Sequence, residues 1–316
     1  VMNYYKYPVQ GQGGTYSYTT ATQRIPQSFC FDELTLDWNN ILDCYDESST
    51  QLQNAEVAKL MHACGVSVSM DYGQQSDGQS GACAPNIPYA MTHYFGYNPN
   101  VVYYERAYFS DNEWNEVIME ELESSRPILY SGTGRLDGHQ FILDGCNAEG
   151  MYHFNFGWEG AGYGYFEIDA LNPLILFDFS SEQTMVRLIT PGEAGRHEDV
   201  FYSRHFTLNK ADISETTVGS SIKFEFAPVC YSSNSTYNEN RVSTFGGKLG
   251  IGLYDSNFNY VQSLKEYDVS ELGIGEGYSI VSSITLHSGT FKDGEYYIAP
   301  FAQATESRNP TRIRTP

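Results

Sequence analysis

Histidine is the side chain best suited to moving protons near neutral pH, and a nucleophile–base–orienter constellation needs one held by a fixed hydrogen bond. Of the seven histidines, His139 stands in the most informative setting. It lies in Gly132-Thr-Gly-Arg-Leu-Asp-Gly-His-Gln-Phe-Ile-Leu-Asp-Gly145, with glycines at 132, 134 and 138 ahead of it. Glycine lets backbone come close to a ligand, so Gly132 and Gly138 are expected beside a substrate cleft. His139 also opens a strand-like run. The chain turns near Gly145–Gly150 and returns through Tyr152-His-Phe-Asn-Phe156. A hairpin centred near 147 or 148 sets His139 opposite residues 155 to 157, with Asn155 beside it. An asparagine carbonyl there accepts one ring N–H and leaves the other nitrogen to take a proton from a nucleophile.

His153 is the competitor, because it shares a strand face with Asn155 by the period of two. Its flanks lack the glycines, so it reads as structural. His139 and His153 have no convergent carboxylates and no third ligand, so neither a metal nor a cofactor is expected. Trp158 follows in Gly157-Trp-Glu-Gly160. It reads equally well as core or as a shield that keeps water from the His139–Asn155 bond and so strengthens it. No GxSxG elbow selects a serine nucleophile. Among the cysteines, Cys146 sits in the turn, Cys64 on a buried helical stripe, and Cys30 and Cys44 have no helix start behind them. Cys83 precedes a helix, whose N-terminus would lower a thiol pKa, and is the best internal candidate.

The elements that must position these residues follow from periodicity. Val57, Leu60, Met61 and Cys64 recur at helical spacing, predicting a helix over 54–64 with Asn54 as N-cap and Gly65 just past its end. Further helices are expected over 87–94 and 111–124, the latter stopped by Pro127. Residues 1–50 read as irregular, and 71–86 as a polar, glycine-rich loop at the cleft rim. After Pro127 the pattern turns to short strands, at 128–131, 140–144, 152–156, 165–168 and 185–189. Helices first and strands second predict an α+β domain. Residues 192–199 read as a linker. Six strand-like runs between 200 and 302 then fit an immunoglobulin-like β-sandwich over 200–316.

Bulk chemistry narrows the partners. With 18 basic and 39 acidic residues the net charge is −21, so nucleic acid is not an expected partner. The densest basic stretch is the tail holding Arg308, Arg312 and Arg314. No apolar run reaches membrane-spanning length. Six cysteines without a CxxC pair argue against a zinc site and against a disulfide framework. No leader peptide precedes Val1 in this sequence, and the chain reads as a fragment or processed form.

Five segments carry a resemblance. Met2-Asn-Tyr-Tyr-Lys-Tyr-Pro8, Val66-Ser-Val-Ser-Met-Asp-Tyr-Gly73, Gly138-His-Gln-Phe-Ile-Leu-Asp-Gly145, Tyr152-His-Phe-Asn-Phe-Gly-Trp158 and Gly164-Tyr-Phe-Glu-Ile-Asp-Ala-Leu-Asn-Pro173 stand in order within residues 1–190. Together they resemble the streptopain family of bacterial papain-fold cysteine peptidases. The resemblance implies a papain-like α+β fold for residues 1–191, with the all-β sandwich outside the match. It implies His139 as catalytic histidine and Asn155 as its orienting asparagine. It sets the nucleophile in a Gly-Cys-like helix start upstream of Val1, outside this chain. Phe156 stands where the family commonly has tryptophan, and Glu159 where it has glycine.

The expected function is that of a secreted or cell-surface cysteine endopeptidase acting on protein and peptide substrates. The resemblance further implies control by an inhibitory N-terminal pro-segment. The rival reading is a surface binding or adhesion protein built on an inactive peptidase scaffold.

Overall fold

A computed structural model describes residues 1–73, 80–134, 138–174, 177–192, 201–208, 219, 221–230, 244–273, 278–287, 292–305 and 307–315. The contacts divide it into two units, Val1–Glu198 and Asp199–Pro316. Most of the linker expected at 192–199 lies outside the described residues, as do 74–79 of the rim loop and 135–137 ahead of His139.

The first unit begins with a short helix, α1 (Met2–Tyr5), and a hairpin of β1 (Thr15–Thr19) and β2 (Pro26–Cys30). That hairpin corrects the irregular reading of residues 1–50. Its strands bury only one face, and only partly, so their alternation is faint in the sequence. Helix α2 (Gln51–Ser67) is longer than expected at both ends. Its N-cap is Thr50, not Asn54: the Thr50 hydroxyl accepts the Gln53 N–H while Gln53 Oε1 accepts the Thr50 N–H. Gly65 lies inside the helix rather than past it. A Cβ there would stand 1.9 Å from the Tyr72 hydroxyl, so glycine serves close packing, not termination. Met61, expected in the buried stripe, is 67% exposed.

Helix α3 (Ile87–Phe95) ends on Gly96 at φ 64°, the left-handed cap that glycine adopts without strain. β3 (Val102–Glu105) follows. Helix α4 (Asp111–Glu123) starts from a capping box between Ser110 and Glu113 and buries Trp114 and Ile118. Five strands complete the unit: β4 (Ile128–Thr133), β5 (Gly138–Cys146), β6 (Tyr152–Asn155), β7 (Gly164–Phe166) and β8 (Ser181–Arg187). They form one antiparallel sheet in the order β3-β8-β4-β5-β6-β7. One core cluster gathers Phe31, Ala63, Val66, Phe95 and Val101. A second gathers Trp114, Ile118, Tyr130, Phe141, Leu143, Phe154, Phe156 and Phe179. It is this second core that carries the candidate site.

The second unit is all β among its described residues. One sheet orders β13 (Ile280–Thr285), β10 (Ser221–Cys230) and β9 (Phe201–Leu208). The other orders β12 (Tyr260–Gly273), β11 (Thr244–Tyr254), β14 (Tyr297–Ala304) and β15 (Thr311–Arg312). Ile222, Phe224 and Phe226 are buried while Ser221, Lys223 and Glu225 are exposed, the alternation of a strand with one wet face. On β11, Leu249, Ile251 and Leu253 are buried at the same spacing of two. Phe201 and Phe245 meet edge to face at 4.6 Å, joining the sheets.

Candidate active site

His139 is the second residue of β5. Phe141 and Leu143, two and four places on, are buried in the second core, so alternation sets His139 on that same face. Its ring lies against the Trp158 indole with centroids 4.9 Å apart and planes 21° apart. Phe179 and Phe141 tilt against it at 5.6 and 5.9 Å. The ring Nε2–H donates to the main-chain carbonyl of Phe156 at 2.8 Å. In the neutral ring this tautomer leaves the Nδ1 lone pair as the basic site. Three aromatic contacts and one hydrogen bond thus fix the plane and rotation of an imidazole whose Nδ1 has no hydrogen-bond partner among the described residues.

Asn155 is not placed as expected. It pairs with Ile142, three positions along β5 from His139, and a register shift between Leu143 and Gly145 bulges the strand there. An odd offset moves a side chain to the other face, whereas Phe154 and Phe156 are buried in the core beside His139. The Asn155 Oδ1 accepts the Gly157 N–H at 3.0 Å. It closes the turn after β6, in which Gly157 takes φ 76° and Glu159 φ 52°. That turn is what presents both the Phe156 carbonyl and Trp158. The orienting acceptor is therefore backbone, and Asn155 stands behind it. The backbone acceptor leaves no side-chain signature, which is why spacing alone did not reveal it.

His153, the rival, pairs with exposed Asp144 at 2.6 Å and leans on Tyr165. Trp158 also contacts Phe156 at 5.5 Å and Phe177 at 5.1 Å, so it is both core edge and cover for the imidazole. Phe179 was not legible beforehand; nothing in its neighbourhood marks it as the wall behind a histidine.

Two of the three glycines have a different duty from the one expected. Gly132 is buried, and a Cβ on it would meet the Phe179 carbonyl oxygen at 2.0 Å; one on Gly134 would meet the Asp178 carbonyl at 1.7 Å. They admit a neighbouring segment of this chain rather than a ligand. Gly138 is exposed and pairs with Thr133. Gly132 is also the register partner of His139. Gly132→Ala is accordingly expected to overpack the site, costing about 2–3 kcal/mol and lowering Tm by roughly 5–10 °C. Thermal unfolding within a degree of the parent would refute the close approach.

Among the described residues, no thiol is in contact with His139. Cys83 precedes the 3-10 turn Ala84–Asn86, which runs directly into α3, and burial pushes its thiol up, away from the thiolate. Its neighbour Ala84 packs on the first core, not the second. Burial pushes Cys64 up to about 12. Cys146 is exposed at the far end of β5, opposite Tyr152. Among the described residues, no three His, Cys, Asp or Glu side chains converge on a possible metal site, and no helix is long and apolar enough to cross a membrane.

Comparison with known proteins shows the family. A family model described as the Peptidase C10 family matches residues 1–166. Streptopain of Streptococcus pyogenes is 35% identical over 182 residues, 56% of this chain and 45% of streptopain. The thiol protease/hemagglutinin PrtT of Porphyromonas gingivalis is 29% identical over 174 residues, 55% of this chain and 20% of that protein. The chain thus spans less than half the length of either relative. Among solved structures, the active interpain A cysteine protease of Prevotella intermedia aligns with a TM-score of 0.55 at 36% identity, covering 59% of this chain and 78% of that one. A prointerpain A fragment aligns with a TM-score of 0.52. The fold is the α+β papain-like one, with a further β-rich unit, and the matched relatives are cysteine peptidases.

Proposed function

We propose, because this chain belongs to the Peptidase C10 family, that it serves a secreted cysteine endopeptidase whose nucleophilic thiol lies upstream of Val1. The single observation that carries the reading is the imidazole of His139, held at Nε2 by the Phe156 carbonyl and flat against Trp158, with no partner on Nδ1 among the described residues. Nδ1 takes the thiol proton, and the thiolate attacks the peptide carbonyl carbon. The imidazolium then returns that proton to the leaving amine as the C–N bond breaks. Water hydrolyses the acyl-enzyme with His139 again as base. Asn155 acts at one remove, by holding the turn that aims the Phe156 carbonyl. Gly138 and Trp158 border the cleft.

The proposal keeps residues 1–191 as the peptidase domain, 192–199 as linker and 200–316 as an immunoglobulin-like sandwich. Its partners are protein and peptide substrates. An inhibitory pro-segment is part of the reading, supported by the likeness to a prointerpain A fragment. The second reading is an inactive scaffold that binds at a surface; it draws on the separate all-β unit and on a relative whose name joins thiol protease to hemagglutinin.

Labelling the complete protein with a thiol-directed epoxide peptide mimic separates the two. One adduct on a cysteine upstream of Val1 is the expected result. An adduct on Cys83, or none, would sink the upstream thiol.

A further inference from the structure

We infer that Gln183 is a positioning residue for His139, acting through Phe179; the inference rests on the proposed role of His139. Gln183 lies on β8 at 3% exposure. Its carboxamide is used at both ends. The oxygen accepts from Arg106 Nη1 at 2.6 Å and from the Tyr130 hydroxyl at 3.0 Å. The nitrogen donates to the Ile168 carbonyl at 2.6 Å and to the Phe179 carbonyl at 3.3 Å. The donors are themselves held: Tyr130 accepts from the Trp114 indole at 2.9 Å, and Arg106 pairs with Asp169 at 2.6 Å and Asp111 at 2.9 Å. A buried amide satisfied on all sides has one orientation.

The backbone around Gln183 points the same way. Ser131 pairs with Thr184 and Thr133 with Ser181, so Glu182 and Gln183 together face Gly132. Glu182 takes φ 45°. This is a β-bulge, a device that re-aims a side chain. Gly132 in turn pairs with His139 on its other side. One row therefore runs from Gln183 through Gly132 to His139. The Phe179 carbonyl that Gln183 holds is the group Gly132 leaves room for, and the Phe179 ring stands 5.6 Å from the imidazole. Gln183 pins the main chain of the wall against which His139 sits. Without that bond the wall, and with it the aim of Nδ1, loosens.

The test uses the complete protein with a fluorogenic peptide, comparing Gln183→Met and Gln183→Glu with the parent across pH. Gln183→Met removes the joint; Gln183→Glu sets a carboxylate against two carbonyls. In either variant that folds, kcat is expected to fall about tenfold or more, with KM within about threefold and the acid limb of kcat/KM moved by at least about half a pH unit. An unchanged kcat and pH profile with only Tm lowered would make Gln183 merely structural and overturn the inference. Loss of fold in both variants, by circular dichroism, overturns it too, since a positioning role needs a folded site of lower turnover. His139→Ala in the same assay separates the two levels: if it keeps turnover, the reading of the site falls and not just the role of Gln183.

Discussion

Peptide hydrolysis by the His139→Ala variant is expected to fall by at least about a thousandfold in kcat/KM, with the fold retained. On the proposed mechanism, alanine removes both the proton acceptor and the group that returns the proton to the leaving amine. The thiol then ionises only to the extent its own pKa allows. The structural loss is small by comparison. His139 is part-buried near the start of β5, and its neighbours Phe141, Phe156 and Phe179 remain packed on one another. A cost of about 1–2 kcal/mol, a few degrees in Tm, is the scale for such a truncation. His153→Ala is the internal control. Its pair with Asp144 is exposed, and surface pairs contribute about 0–1 kcal/mol, so turnover should stay within about twofold. Equal losses at both positions, or turnover within threefold of the parent at position 139, would remove His139 from the mechanism.

What the sequence made legible here was whatever depends on short-range pattern. The helix over Asp111–Glu123 was readable because Ser110 and Glu113 cap it and Trp114 and Ile118 share one face. His139 was readable because glycines and a strand start mark its place. The hydrogen bond to it was not, for a geometric reason. Hairpin register depends on where the turn and the bulge fall, and Asp144 at the bulge shifts the pairing that Asn147–Met151 sets up. A shift of one residue exchanges the faces of a strand, so Asn155 turned away and a carbonyl took its place. The glycines at 132 and 134 were read as room for a ligand. What approaches them is Phe179 and Asp178, more than 40 residues away in the chain, and no local window holds that contact. Gln183 is the extreme case. Its meaning lies entirely in four partners drawn from four other segments.

Glu121→Gln is expected to destabilise the first unit by about 3–5 kcal/mol, lowering Tm by roughly 10 °C, although the residue touches no part of the site. Glu121 is fully buried near the end of α4. Its carboxylate receives Arg126 Nε and Nη2 at 2.8 Å each, Arg187 Nε and Nη2 at 3.0 and 2.8 Å, and the Leu188 N–H at 3.0 Å. It ties α4 to β8, the strand that also carries Gln183. Burial pushes its pKa up, but the Arg126 hydrogen bonds, the Arg187 charge and the Leu188 N–H outweigh that and hold it below the ordinary value. A folded-state pKa below the unfolded one means the stabilisation is full above the unfolded value. It is lost as pH falls through the lower, folded value. The parent should therefore lose Tm on acidification below about 4.5 more steeply than the Gln variant, whose amide has no proton to gain. Breaking the cluster also differs from replacing it. The glutamine substitution leaves Arg126 and Arg187 with Glu120 as their one carboxylate in this cluster, whereas Glu121→Leu with Arg126→Met and Arg187→Met removes the buried charges together, leaves only the exposed Glu120 in water, and should cost less. Thermal unfolding across pH 3–7 reads all three. A Gln variant within about 1 kcal/mol of the parent at pH 7, or a triple variant less stable than the single one, would show that the carboxylate is not what holds α4 to the sheet.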